Sequence, residues 1–393
     1  MPPSPSPSPS LTLADEQEQE QEQEQAMATA TLISSEVGKA KASPLALPLI
    51  SSSELRRHTS PSSLWLSIHG LVYDVTSWLP LHPGGDLPLL SLAGRDATDP
   101  FLAYHPPSAH SALSPFLVGR LSPSPQNTSP VSLSYRNLLA RFSSQGLFDR
   151  PGLLFPLSLL LTFSLFLASL SLLLLFPRPH FFLHLLAGAL MGCVWIQSGW
   201  LGHDSGHYNV TSHPRLNRTL QILTGNCLAG ISIAWWKRNH NAHHIACNSL
   251  DHDPDLQHMP FFAVSSRLFS SINSYFYQRT MQFDPLTKFL VSYQHITFYP
   301  VMCFARINLF AQSIILLLTK KNIPDRGMEI LGVLFFWVWY PLLVSCLPNW
   351  PDRIAFVVAS FNVTGIQHVQ FCLNHFSSQV YLGAPGGMVL FQF

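Results

Sequence analysis

Charge is what this 393-residue sequence has least of. Charged residues make up 11% of it, against roughly 25% in an ordinary soluble protein. With 22 Lys and Arg against 21 Asp and Glu, there is no net field to draw in nucleic acid, and that class of partner is excluded. Six cysteines stand singly, mostly within apolar runs, and no Cys-x-x-Cys occurs. Neither a disulfide framework nor a zinc site is expected. A basic start followed by an apolar stretch is also missing, which excludes a secretory signal and starts the chain in the cytosol. The excesses are apolar residues, at 47%, and histidine, at 18.

Residues 1–51 open on "MPPSPSPSPS" and continue through "EQEQEQEQEQ". Such a segment cannot bury enough apolar surface to offset ordering and reads as a disordered tail. From 52 to 121 the pattern is that of a small α+β domain. "SSSELRRH" carries a serine cap and Glu54, a short helix signal. "LWLSIHGLVYDV" alternates around Gly70 and reads as a hairpin. "DLPLLSLAG" and "DATDPFLAYH" read as short helices, the first stopped by Gly94, the second opened by Asp96 and ended before Pro106. Between hairpin and helices lies "LHPGGD", a tight, side-chain-poor loop that holds out His82. His82 and His105 fall at two helix–loop junctions flanking one apolar patch. Two neutral imidazoles placed there can clamp a haem iron from both faces.

"LWLSIHGLVYDVTSWLPLHPGGD" followed by "AGRDATDPFLAYHP" resembles a cytochrome b5 domain. The resemblance implies haem b with His82 and His105 as axial ligands, and sets aside the nearby His110. Two-histidine ligation leaves iron no open position, so such a haem passes electrons.

Residues 122–150, with "SPSPQNTSP", read as a linker, and 151–393 as an all-α multi-span membrane domain. Uncharged runs at 153–176 and 180–201 are each long enough for the roughly 20 residues of a bilayer span. Runs at 296–318 and 329–347 are expected to form a second hairpin. The apolar segment 219–236, broken by Gly225, Asn226 and Gly230, is expected to lie in the interface. Basic residues at 136, 141, 150, 215, 218, 237 and 238 place the haem domain and the middle segment in the cytosol. Lys320, Lys321 and Arg326 fall on the other side in this arrangement, against that bias.

Histidines cluster at the exits of these runs. "HDSGH" places His203 and His207 four apart, and "NHNAHH" places His240, His243 and His244 at i, i+3 and i+4. Each set shares one helix side. Two such helices facing each other offer five nitrogens to one or two metals, with Asp204 and Asp251 as candidates to orient the rings.

These boxes resemble those of the membrane fatty acyl desaturases and hydroxylases. With "HDSGHYNV", "ISIAWWKRNHNAHHIACNSLDHDPDLQHMP" and "GIQHVQFCLNHFSSQVY", the chain is most similar to the plant sphingolipid delta-8 long-chain-base desaturases. The resemblance implies an endoplasmic-reticulum enzyme with two non-haem irons, held by His203, His207, His240, His243 and His244. His375 of "LNHF" is a further ligand position, whereas His368 has no such support. It implies dioxygen as oxidant, and NAD(P)H electrons passed by a cytochrome b5 reductase to the haem. The substrate implied is a sphingolipid long-chain base or ceramide. Alternatives are an acyl-lipid delta-6 desaturase, a lipid hydroxylase, or an inert chain retaining haem electron transfer. The family's third box, Gln-x-x-His-His, has no counterpart before "GGMVLFQF". The expectation is a truncated or differently spliced chain that binds haem, enters the membrane and makes little product.

Overall fold

The computed structural model describes residues 47–82, 84–105, 109–123, 129–149, 152–176, 178–211, 213–321, 323–377 and 379–383. Most of the expected N-terminal tail lies outside them. Among the described residues the chain divides into two compact units, 47–81 with 92–149, and 82–91 with 152–383.

The first unit is built on the expected hairpin. After β1 (Leu49–Ile50), Ser51 caps α1 (Ser52–Leu55), its Oγ accepting the Glu54 amide at 3.1 Å. Strands β2 (Thr59–Ser60), β3 (Ser63–Ile68) and β4 (Leu71–Asp74) follow, with His69 and Gly70 both at positive φ in the two-residue turn between β3 and β4. Helices α3 (Thr98–Tyr104) and α4 (Ala109–Ala112) precede β5 (Leu117–Leu121), while α2 (Leu87–Leu92) falls almost wholly in the 82–91 stretch that groups with the second unit. The sheet order is β1-β5-β4-β3-β2, with β1 parallel to β5 and the other pairs antiparallel. Leu64, Leu66, Ile68 and Val72 are buried in it. Asp96 sits one residue ahead of the α3 cap position, and its Oδ1 accepts the Thr98 amide at 3.0 Å.

The segment expected as a linker carries α5 (Pro130–Ser144), capped by Ser129. Its Arg136 reaches the buried Asp99 at 2.5 Å and Asp96 at 3.6 Å. A proline–serine composition marks where the helix starts and hides that it follows.

The second unit contains α6 (Leu154–Leu175), α7 (Phe181–Gly206), α8 (Pro214–Gln221), a π-helical turn (Ile222–Leu228) and α9 (Ile233–Ala246). A region with the hairpin β6 (Ile272–Ser274) and β7 (Arg279–Met281) then leads to α10 (Pro285–Ser292), α11 (Gln294–Thr319), α12 (Arg326–Ser345) and α13 (Trp350–Asn374). Five of these, α6, α7, α11, α12 and α13, are long and apolar enough to cross a membrane. The four expected runs are among them, and α13 is an addition.

Packing directions change the expected pairing. Gly188, Gly192 and Gly199 of α7 meet Phe356, Ser360 and Gln367 of α13 in that order, so the two helices run parallel. One crossing must return the chain between them, and α12 supplies it. Its Glu329 meets Arg218 and Asn226 just beyond the α7 exit, and its Tyr340 meets Trp195 deeper in the bundle. Helix α11 therefore starts and ends at the histidine end. Its Gln294 holds the Ala263 amide at 2.9 Å, while Gln312 holds Trp235 Nε1 at 3.1 Å. The second hairpin is thus α12–α13. The loop that carries Lys320, Lys321 and Arg326 comes to the same end of this unit as Arg218, which meets Asp325 at 3.1 Å and the Pro324 carbonyl at 3.3 Å.

The α7–α13 contact depends on glycine. A Cβ on Gly188 would lie 2.3 Å from the Phe356 carbonyl oxygen. Helices in lipid associate through such close approach, since apolar side chains gain nothing by leaving hydrocarbon. Gly188→Leu is expected to force α7 and α13 apart. In detergent size exclusion the folded peak should be lost to aggregate.

Candidate metal centre and haem site

The last turn of α7 carries His203, and His207 caps that helix. Helix α9 carries His240, His243 and His244, and its start is unusually well held. Ser232 Oγ accepts the Trp235 amide at 3.2 Å and donates to Glu329 at 2.8 Å. The Ser232 amide donates to Ser313 Oγ at 3.1 Å, and Arg306 donates to the Ala229 carbonyl. Glu329 is fully buried and also accepts Asn226 Nδ2 at 2.7 Å and Arg218 Nη2 at 2.9 Å. A buried carboxylate is tolerable when a cation and two further donors satisfy it. The segment 219–236, expected in the interface, is instead pinned between helices by this cluster. Glu329→Gln must turn an amide N–H toward one of three donors. Non-haem iron affinity should fall by at least about tenfold, with partial recovery in Glu329→Asp, as read by iron titration of the purified protein.

The two boxes converge. His207 Nε2 lies 3.0 Å from His240 Nε2, and His244 Nε2 lies 2.9 Å from the same atom. The His203 ring centroid is 4.9 Å from that of His240. One ligating atom each from His203, His207 and His240 falls within 4.8 Å of the others. Burial and neighbouring imidazoles hold His207 and His244 down to about 4 and push His240 down as well. All three are therefore neutral at pH 7, the form that ligates metal. Trp236 stacks on His240 at 4.5 Å.

A second set adjoins the first. The His375 ring, just past α13, stands 4.9 Å from that of His243. His243, Cys247, Asp253 and His375 bring ligating atoms within 4.8 Å of one another. His243 Nδ1 donates to Asp253 at 3.1 Å, and His375 Nδ1 donates to Asn248 Oδ1 at 2.8 Å. Burial works to lower the His243 pKa, but the Asp253 hydrogen bond and the Asp255 and Asp253 charges outweigh it and leave it raised. Burial holds His375 down to about 4. Asp253 also accepts the Asn248 and Asp255 amides, each at 2.9 Å. With its oxygens so occupied it serves as an anchor for the His243 ring.

All six expected box and C-terminal histidines are thus brought into two adjoining sets. Of the two expected orienting carboxylates, Asp204 fits, accepting from His203 Nδ1 at 2.9 Å. Asp251 does not. It accepts from Ser249 and from the Gly383 amide, each at 2.9 Å, and Asp253 holds the box ring instead. His368 is buried between α11 and α13, donating to the Met302 carbonyl at 3.0 Å. An imidazole set anchored by carboxylates and an amide suits iron.

The haem histidines are each locally prepared. His82 Nδ1 donates to the Gly85 carbonyl at 2.6 Å, with Gly85 at φ 84°. A Cβ on Gly84 would lie 2.8 Å from His82 Cε1, so only glycine leaves the ring this position. His105 Nδ1 donates to the Phe101 carbonyl at 3.1 Å, and its ring stacks on Phe101 at 4.5 Å. Both bonds fix the tautomer whose lone pair is on Nε2, the nitrogen that haem iron takes. His110 instead meets Phe101 edge-on at 4.9 Å. These environments fit haem.

Comparison with known proteins agrees. Residues 51–122 match the cytochrome b5-like heme/steroid binding domain, and residues 179–385 match the fatty acid desaturase family. The chain is 54% identical to the Delta(8)-fatty-acid desaturase 2 of Arabidopsis thaliana over 86% of its length and 75% of the relative. It is equally identical, with the same coverage, to the Acyl-lipid (9-3)-desaturase of Borago officinalis. With the Delta 8-(E)-sphingolipid desaturase of Emericella nidulans it shares 28% identity over 79% of its length and 75% of that protein. The histidine sets, the prepared haem ligands and these matches together make the chain a member of the fatty acid desaturase family, an oxidoreductase with a fused cytochrome b5-like haem domain.

Proposed function

We propose that the protein introduces the delta-8 double bond into the long-chain base of sphingolipids, as a front-end desaturase fed through its own haem domain. The observation that carries the reading is the convergence of His203, His207, His240 and His244, with His243 and His375 beside them. Iron held by these residues supplies dioxygen activation for removing two hydrogens from neighbouring methylenes, and haem b held by His82 and His105 supplies one-electron transfer. Asp204, Asp253 and Asn248 keep the ligating rings oriented. The buried cluster around Glu329 holds the start of α9, and so fixes the helix that carries three of the ligands.

Two irons are proposed because the six histidines fall into two sets that share α9. A sphingolipid substrate is supported by the name of the Emericella relative, and the delta-8 position by the names of the plant relatives. A cytochrome b5 reductase using NAD(P)H is the proposed electron source, and the endoplasmic reticulum the proposed membrane. The cytosolic assignment of the haem domain is supported by the basic residues now gathered at the histidine end. Helix α6 also starts there, its Leu159 and Thr162 lining one crevice with Leu201 of α7.

The Borago relative's name supports an acyl-lipid second reading. The test is expression in a yeast lacking long-chain-base desaturation, with a family segment bearing Gln-x-x-His-His joined after Gly383 so that all implied boxes are present. Delta-8-unsaturated long-chain bases are the expected product, two mass units below substrate. New double bonds only in acyl chains would transfer the assignment to the acyl-lipid reading. A gain of one oxygen would make the protein a hydroxylase.

A further inference from the structure

Helix α5 is attached on one face only. Ser132, Tyr135, Arg136 and Leu139 are half-buried along it, and Arg136 fixes it to Asp99. On the adjoining face Val131, Leu138 and Phe142 form an exposed stripe at i, i+7 and i+11. The chain then turns at Gly146, and the Leu147 amide donates to the Phe142 carbonyl at 3.0 Å. This places the Phe148 ring 6.5 Å from that of Phe142. Leu147 and Phe148 are 61% and 58% exposed, so the apolar stripe ends in an apolar knob. Arg141 flanks the stripe and is exposed. Apolar surface gathered in this way on a helix marks a docking face.

Its occupant follows from chain length and charge. Ser144 ends α5 and Leu154 begins α6, a helix apolar enough to enter the membrane. Ten residues reach at most about 35 Å, so the Phe142 end of the stripe stays tethered near the start of α6. A helix with Leu and Phe on one side and Arg at its border suits the bilayer interface, with rings among the acyl chains and guanidinium at the phosphates. We propose that the Val131–Leu138–Phe142 stripe, extended by Leu147 and Phe148, is a docking surface for phospholipid bilayer. Through Arg136 it lays the haem unit against the membrane surface. Docking confines the haem unit to a layer near the membrane, which raises its effective concentration for reactions there. This holds whichever lipid the enzyme oxidises.

The test uses the full chain reconstituted into vesicles of phosphatidylcholine with a minor fraction of phosphatidylinositol. Leu138→p-benzoylphenylalanine and Phe142→p-benzoylphenylalanine are irradiated and the adducts identified by mass spectrometry. Asn137→p-benzoylphenylalanine, on the opposite exposed side, is the control. Lipid adducts are expected at 138 and 142 and not at 137, with haem absorbance unchanged. Adducts to another segment of the chain, adducts to a second copy, or no adduct would each overturn the proposal. If either helix variant loses its haem, Phe148→p-benzoylphenylalanine, beyond the helix end, gives the same readout.

Discussion

Replacing His240 by alanine is expected to remove non-haem iron from the protein while leaving its haem untouched. His240 is the hub of the cluster, because its Nε2 is within 3.0 Å of the Nε2 atoms of both His207 and His244. Its loss takes a nitrogen from the centre and withdraws the ring against which Trp236 stacks. Even orienting partners of a metal ligand change affinity or activity about 10- to 100-fold, and a ligand at the hub should cost more. Desaturated product should fall to background in the extended form described above, and total iron should fall to that of the haem. Wild-type non-haem iron in the variant would contradict the assignment. His203→Ala and His207→Ala should behave alike, since their rings close the same set.

The complementary loss is expected at the haem. His82→Ala should abolish haem binding by the full chain, and His105→Ala should replace the low-spin six-coordinate spectrum with a five-coordinate one. Neither change should alter non-haem iron. A side chain at position 84 would collide with the His82 ring, and the Gly85 carbonyl fixes its tautomer. His105 is held by Phe101 in both its hydrogen bond and its stacking. A six-coordinate spectrum that survived His105→Ala and disappeared in His110→Ala would move the second ligand to His110. Absorption spectra of the purified variants decide between these outcomes.

Much of this arrangement could be read from the chain because the residues that make it are local. The His82 loop, the β3–β4 hairpin and the i, i+3, i+4 histidines are each set by a few neighbouring positions. What escaped reading depends on distant contacts. Helix α13 is diluted by Asp352, Gln367 and His368, which look wrong for a span until they are seen turned inward and buried. The hairpin pairing depends on the same contacts, since without α13 the sequence offers only α11 as the crossing that pairs with α12. Asp251 and Asp253 are chemically identical and two residues apart, and the backbone amides of Asn248 and Asp255 decide which one meets His243. Glu329 gave no signal as a partner of Ser232, 97 residues away. Helix α5 was hidden behind a linker-like composition.

The proposed function requires two chemically different iron sites in one chain, a two-histidine haem and a histidine-lined non-haem centre. Mössbauer spectroscopy of the full chain grown on iron-57 tests it most directly, because low-spin haem iron and high-spin non-haem iron give separate doublets. Both signals are expected in the wild-type protein, and the haem signal alone in His240→Ala. A wild-type spectrum containing haem iron only, from protein purified with iron supplied, would contradict it.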